Sequence, residues 1–396
     1  MVFLTTMHKT LKFTGIWPPD KKDKLYRLKM KAKFALMVYY AFGVVFNLVV
    51  SIRGKLKTKK TFFLIQILKI IDEKTPLRDV AEDLLVTVGY LNIIFIYIAL
   101  FYQQDDLISL FKHLEDFRQF GYPKATKAIS KLINIFSLGL VWYGIFGALS
   151  VCYYAAHDYE NCIISTEIVQ RDAQCGFALR SYFPYNVRRG FNYYLHLFIE
   201  MYTVSMACAG AMHLVICSVA AFEYLILRIE HLNDMLRQVF RDNDVDEHIA
   251  RFRICAMYHI YIIDLAQKTN DCFQFVTTPV LITYSICIGS SLLAFLVAPT
   301  LISFIHGMGW VVGLFLMCFS GQRIQNYSTS IAEVAYGIEW GNSSTRVQKD
   351  LMFMLLRANK PIQFVCGPLG DCNFETFYRI MSTAYKFTSL KTGLGN

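Results

Sequence analysis

The sequence predicts an all-α membrane protein whose helices cross the bilayer repeatedly. Two observations carry this. The 396 residues are 55% hydrophobic and 15% aromatic but only 18% charged, with a mean hydropathy of +0.37, whereas a soluble domain is typically about 25% charged. The apolar residues also fall in long uncharged runs, each able to sit in lipid as a helix. Disorder, a collagen-like repeat and a small disulfide-stapled scaffold are excluded by the same figures.

Hydropathy gives six spans. Residues 32–52 carry no charge after Lys33, and 84–102 and 132–156 carry none at all. The run 195–227 is broken only by Glu200 and Glu223. Cys272 to Gln322 is free of charge for about fifty residues, with Pro299-Thr300 in its middle. About 20 apolar residues cross the hydrocarbon core, so this stretch is two spans, 273–298 and 301–321. Phe62 to Ile71 is too short to cross and reads as an interfacial or flanking helix. A seventh candidate, 373–391, has a different pattern. Glu375, Arg379, Ser382, Lys386 and Ser389 follow at steps of 4, 3, 4 and 3, which places them on one helix face. Phe374, Phe377, Tyr378, Met381 and Tyr385 occupy the opposite side. Such a stripe suits a helix facing a water-filled cavity or an amphipathic surface helix.

Charge placement sets the expected orientation. Residues 1–33 hold eight lysines and Arg27 against Asp20 and Asp23, with no signal-peptide core, so the N-terminus is expected to be cytosolic. Arg53 to Arg78 adds eight more basic residues and blurs the rule, while His157 to Tyr194 has four basic and four acidic residues. Seven spans from a cytosolic N-terminus put the C-terminus outside. The net charge of +10 could suggest nucleic acid, but Leu25 to Met30 interleaves its bases with apolar residues, which fits an anionic inner leaflet or a solvated tail.

Of eleven cysteines, Cys208, Cys217, Cys287 and Cys318 fall inside spans as small hydrophobes. Cys162 and Cys175 share the neutral loop expected outside, where a disulfide is permitted and free thiols are equally consistent. No HExxH, P-loop or GxSxG occurs, and His248 and His259 are not at metal-ligand spacing, so neither an enzyme nor a metal site nor any cofactor is expected. His213 reads as a hydrogen-bonded interior residue or a ligand contact. Aromatic and methionine side chains crowd the outer halves of the spans, among them Tyr90, Trp142, Tyr143, Phe146, Met201, Tyr202 and Met206. Such linings pack helices together or form pockets for small uncharged ligands.

The last third of the chain resembles the insect odorant receptors. Tyr327 to Tyr336 followed by Trp340 is similar to the family's cytosolic segment with its Tyr-x-x-x-Trp ending. Leu355-Leu356-Arg357-Ala358-Asn359-Lys360-Pro361 and the closing run Phe377 to Leu390 look like two further family patterns, and Phe183-Pro184-Tyr185 also fits. The resemblance covers the whole length in architecture and about 80 residues in motif.

The resemblance implies seven helices with inverted topology, and four subunits around one non-selective cation pore lined by the seventh helix. It also implies a cytosolic helical anchor, here 228–271 and 323–371. The chain lacks the long cytosolic insertion of the co-receptor, so it is expected to be a ligand-tuning subunit that assembles with that co-receptor. It is expected in the plasma membrane of olfactory sensory neurons. Pore residues would be Arg379, Ser382, Lys386 and Ser389. Volatile ligands would bind in an outer pocket between helices two to six, lined by Val88, Leu91, Tyr143, Phe146, Ser150, Met201, Ser205 and His306. Lys386 departs from what a cation pore needs, because four copies around one axis would oppose cations. The sequons Asn326-Tyr327-Ser328 and Asn342-Ser343-Ser344 are expected to be cytosolic and unmodified. A gustatory-type channel subunit would share this fold. A G-protein-coupled receptor is disfavoured, with no DRY-like triplet and no NPxxY, and a secondary transporter shows no internal repeat.

Overall fold

The computed structural model describes residues 4–16, 28, 31–42, 77–160, 163–164, 175–179, 190–240, 245–297, 299, 301–341 and 343–393. These are helical almost throughout: α1 is Thr5–Thr14, α2 is 31–42, α3 is Leu77–Tyr102 and α4 is Gln104–Glu115. The long helices follow as α5 (Thr126–His157), α6 (Phe191–Leu236), α7 (Val245–Val297) and α8 (Leu301–Gly337). The chain closes with α9 (Thr345–Ala358) and α10 (Phe374–Gly393). Among the described residues there is no strand, only an isolated antiparallel bridge between Val365 and Asp371, and five helices are long and apolar enough to cross a membrane. The Phe62–Ile71 segment, residues 43–52 of the first span and all but Leu28 of the Leu25–Met30 stretch lie outside the described residues.

Helix length reshapes the picture drawn from hydropathy. At 1.5 Å per residue, α6 with 46 residues and α7 with 53 run roughly 70–80 Å, more than twice the ~30 Å hydrocarbon core. The stretches 228–236 and 323–337 therefore continue the helices that carry the apolar runs, with no break between run and extension. Within α7, Pro279 removes one helix donor, and the hydroxyls of Thr277 and Thr278 bond back to the Phe273 and Gln274 carbonyls just before it.

α6 is the central element and packs against α1, α3, α4, α5, α7 and α8. Ala207, Ala209, Gly210, Ala220 and Ala221 let those neighbours approach closely. A Cβ at Gly210 would lie 2.7 Å from the Tyr97 ring. α1 is wedged against α5 and α6. Its first N–H groups, on Thr6 and Met7, are accepted by Asn134 Oδ1. At its other end the Thr14 carbonyl accepts from Lys33 Nζ at 2.7 Å and Tyr97 Oη at 2.9 Å. Fully buried Arg228 serves α4 in the same way. Its Nη2 donates to the carbonyls of His113, Leu114 and Asp116 at 2.8–2.9 Å, and its guanidinium stacks 4.5 Å from the Phe117 ring. Glu223 and Arg323 form an ion pair between α6 and α8.

A short hairpin turns the chain into α10. Cys366 N–H donates to Gly370 O and Cys372 N–H to Phe364 O, both at 2.7 Å, and Phe364 packs 4.2 Å from Phe222. The hairpin presses on α8 so closely that a Cβ at Gly321 would collide with the backbone carbonyl oxygen of Cys372. That atom is fixed by the hairpin and has little room to yield. Gly321→Ala is therefore expected to cost about 1–3 kcal/mol and to lower the melting midpoint of the detergent-solubilised protein. Gly337→Ala, whose Cβ would meet nothing within 4 Å, should leave it unchanged. Size-exclusion chromatography after heating measures both, and equal midpoints would remove the packing argument.

Candidate functional site

Glycine spacing opens a cavity at the centre of the bundle. Gly89 on α3, Gly144 and Gly147 on α5, and Gly309 and Gly313 on α8 all line it. Around them stand Tyr90, Tyr143, Met212, Tyr284 and Trp310, and the cavity measures about 140 Å³. A void of roughly this size holds a benzene-sized molecule. Among the described lining residues there is no Asp, Glu, Lys or Arg, so an ion or a zwitterion would find no counter-charge on them.

Each wall is set by helical periodicity. On α3 the lining residues Leu85, Val86, Gly89, Tyr90, Ile93 and Ile96 form one arc. Tyr90 is fixed by its hydroxyl, which donates to Met37 O at 3.4 Å. Tyr143 on α5 reaches across to α8 and donates to Ile305 O at 2.9 Å. A Cβ at Gly309 would lie 2.9 Å from the Tyr143 hydroxyl, so that crossing requires glycine. The residues Ala178 and Leu179 add a further wall. They are held by Glu200, a fully buried carboxylate on α6 that accepts from Leu179 N–H at 2.7 Å. The strap begins at disulfide-bonded Cys175 and turns at Gly176, where φ is +88° and Tyr159 and Tyr193 leave no space for a Cβ.

Of the eight residues singled out from sequence, Tyr143, Ser150 and His306 line the cavity. Val88 and Leu91 lie off the lining arc of α3, with Leu91 exposed. Phe146 points outward at 62% exposure. Met201 lies a turn away from the lining residue Val204, and Ser205 is buried just past the lining face of α6. Sequence reasoning passed over Tyr284, Trp310, Met212 and the glycines. The available signal was the Gly309-x-x-x-Gly313 spacing, which marks a helix face open to close approach.

α10 has three faces. Thr376, Ile380, Ala384 and Thr388 are buried at successive steps of four, against α7. The stripe of Glu375, Arg379, Ser382, Lys386 and Ser389 runs beside them and is exposed or half-buried. Arg379 pairs with Glu375 at 2.8 Å, and Tyr378 and Tyr385 are exposed on the third face. Nine cysteines are free, while Cys162 lies outside the described residues. No group of His, Cys, Asp or Glu able to hold a metal occurs among the described residues.

The family described as 7tm Odorant receptor matches residues 77–385. The chain belongs to the 7tm odorant receptor family. Odorant receptor 85c of Drosophila melanogaster is 23% identical to it over 81% of this chain and 82% of the relative, and odorant receptor 67a of the same species is 25% identical over 66% of each. Among solved structures, the insect olfactory receptor OR5 of Machilis hrabei, determined in complex with eugenol, superposes with a TM-score of 0.73 at 11% identity, covering 99% of this chain and 98% of that one. This likeness is one of fold. The protein is thus an odorant receptor and a multi-pass membrane protein, not an enzyme.

In this odorant receptor Gly147 is the lining glycine with most room, since a Cβ there would meet nothing within 4 Å. Gly147→Leu is expected to fold and reach the surface like the parent while reducing potency for the bulkiest agonists at least about tenfold, the effect of one lost contact of ~1.4 kcal/mol. Gly147→Ala should shift potency much less. Dose–response curves on cells with matched surface labelling test this; unchanged ranking in both variants would take Gly147 out of the binding site.

Proposed function

We propose that this odorant receptor is the ligand-tuning subunit of an odorant-gated, non-selective cation channel, assembled with the co-receptor subunit into a heterotetramer. Its place is the plasma membrane of olfactory sensory neurons, with the N-terminus cytosolic and the C-terminus outside. The observation that carries the reading is an apolar cavity joined through α7 to α10, whose stripe of polar residues is exposed or half-buried. Small volatile molecules bind in the cavity against Tyr90, Tyr143, Ser150, Tyr284, His306 and Trp310. Arg379, Ser382, Lys386 and Ser389 face the shared pore.

α7 supports the link between the two. Tyr284 forms part of the cavity wall, and five residues on, Gly289 lies against α10. A Cβ at Gly289 would stand 3.2 Å from Ala384 O and 2.9 Å from the Phe387 ring, and Thr388 Oγ1 donates to Gly289 O at 3.3 Å. A ligand that fits the cavity better when α7 is displaced therefore favours a different seat for α10. Only this difference in affinity opens the pore, since equal affinity for both states shifts nothing. Lys386 works against a pore built from four copies of this chain, and co-receptor subunits dilute its charge.

Co-expression with the co-receptor should give odour-evoked cation current, and this chain expressed alone should give little or none. Robust current from the chain alone would sink the tuning-subunit reading. Orientation has its own check. A C-terminal epitope should be labelled on intact cells, and Asn326 and Asn342 should carry no glycan; a glycan on either would reverse the topology.

A further inference from the structure

The outward face of α5 changes character along its length. Lys127, Lys131, Ile135, Leu138 and Trp142 follow at steps of 4, 4, 3 and 4, which places them on one helix face, and all five are exposed. The first two are basic and the last three apolar. Lys131 is the last charged residue before the uncharged run 132–156, so the face passes from charge to hydrocarbon where α5 becomes able to enter a bilayer. A groove lies against the basic end. α1 forms one wall with Thr5 and Thr6, and α5 forms the other from Lys127 to Leu138, around a space of about 460 Å³. The seam behind it is closed by hydrogen bonds. Asn134 Oδ1 accepts from the N–H groups of Thr6 and Met7, and the Thr10 and Ser137 hydroxyls lie 3.2 Å apart. Among the described residues no acid lines the groove, and neither Lys127 nor Lys131 has a carboxylate partner. Their neighbour Lys124 does, pairing with Asp234 at 3.6 Å. Glu115, near the start of α1, accepts from Leu4 N–H at 3.2 Å and stands outside the lining.

We infer that this groove is a binding site for an anionic phospholipid of the inner leaflet, with its phosphate on Lys127 and Lys131 and an acyl chain along Ile135, Leu138 and Trp142. The inference rests on the orientation proposed above, in which a cytosolic N-terminus puts the start of α5 on the inner side. That leaflet carries the anionic lipids, and basic groups at the membrane surface attract them. Lysines standing over an apolar stripe recognise both parts of such a molecule, the head by charge and the chain by buried area. A zwitterionic head brings its own ammonium, which the two lysines repel. A soluble phosphate ester gains nothing from the apolar stripe. An occupied groove adds a contact across the seam that joins α1 to α5.

The test uses the receptor purified from cells co-expressing the co-receptor and placed in nanodiscs. The probes are phosphatidylserine and phosphatidylcholine, each with a photoactivatable diazirine on the acyl chain. Both leaflets of a nanodisc hold the probe, so the result does not depend on orientation, which the C-terminal epitope decides separately. Phosphatidylserine should label α5 between residues 132 and 142, and phosphatidylcholine should label it far less. Lys127→Gln and Lys131→Gln should each lower labelling by phosphatidylserine about fivefold, the ratio expected for one lysine near an anionic surface, while Lys127→Arg keeps it. Glycerophosphoserine, the same head without chains, should not compete. Equal labelling by the two lipids on the unaltered receptor would overturn the inference whatever the variants do, because the stripe is then ordinary lipid-facing surface. Competition by glycerophosphoserine would also overturn it and make a soluble phosphate ester the occupant. A C-terminal epitope found inside the cell would overturn the assignment to the inner leaflet, together with the orientation on which it rests.

Discussion

A polar side chain buried among packed helices must find a partner inside the protein, and on α6 that requirement organises the rest of the bundle. Glu200, His213 and Arg228 are each fully buried on one helix, and each binds a segment from outside the set of long helices. Glu200 holds the strap at Leu179. His213 contacts Thr10 Oγ1 of α1 at 3.2 Å and Ala209 O at 2.9 Å. Arg228 gathers the three carbonyls that end α4. Removing any of these groups would strand its partners in a low-dielectric interior, where an unmet donor or acceptor costs about 1–3 kcal/mol. The polar residues of α6 are therefore ties, spaced along the helix, that fix a strap, a wedge and a short helix at three different depths.

With α6 fixed, the cavity follows from what its neighbours lack. Gly89 faces the Trp310 ring, Gly309 the Tyr143 hydroxyl and Gly313 the Tyr284 hydroxyl. Large aromatic groups occupy the volume that side chains would have filled, and the void lies between them. Tyrosines in this arrangement act as struts as much as contacts: Tyr143 spans from α5 to the α8 backbone, and Tyr90 from α3 to α2. A wall built of struts between helices changes shape when those helices shift, which a cavity lined by aliphatic side chains would register less.

Much of this was legible in the sequence, and what was not had a common physical origin. Uncharged runs located the apolar parts of α3, α5, α6, α7 and α8, because twenty residues without charge admit few alternatives in water. The helix ends were not legible: beyond the apolar runs α6, α7 and α8 simply continue, and a hydropathy window cannot see a helix that persists into polar sequence. The stripe on α10 was visible as a 4-3-4-3 rhythm, but the face that holds α10 to α7 was missed. Thr376, Ile380, Ala384 and Thr388 are too small and too mixed in polarity to register as a hydrophobic face. Among pocket residues, Tyr143, Ser150 and His306 emerged from depth alone. Val88, Leu91 and Phe146 share that depth but not the azimuth, which depends on how each helix is rotated and hence on contacts that no single segment encodes.

The small residues that hid the α10 contact also say something about how that helix is used. A face of Thr376, Ile380, Ala384 and Thr388 gives close approach with only one large apolar side chain, and Thr388 bonds the Gly289 carbonyl. Such an interface is held by short-range packing, which falls off steeply with separation, so a small displacement of α7 removes much of it. The polar stripe beside it, with Lys386 exposed, would need water or a partner if α10 spans the bilayer as proposed above, because a lysine near mid-membrane is expensive. α10 is thus held against α7 by a face of mostly small residues and presents a polar stripe beside it. In the proposed channel, that combination would suit a helix that changes its seat around a water-filled axis shared with other subunits.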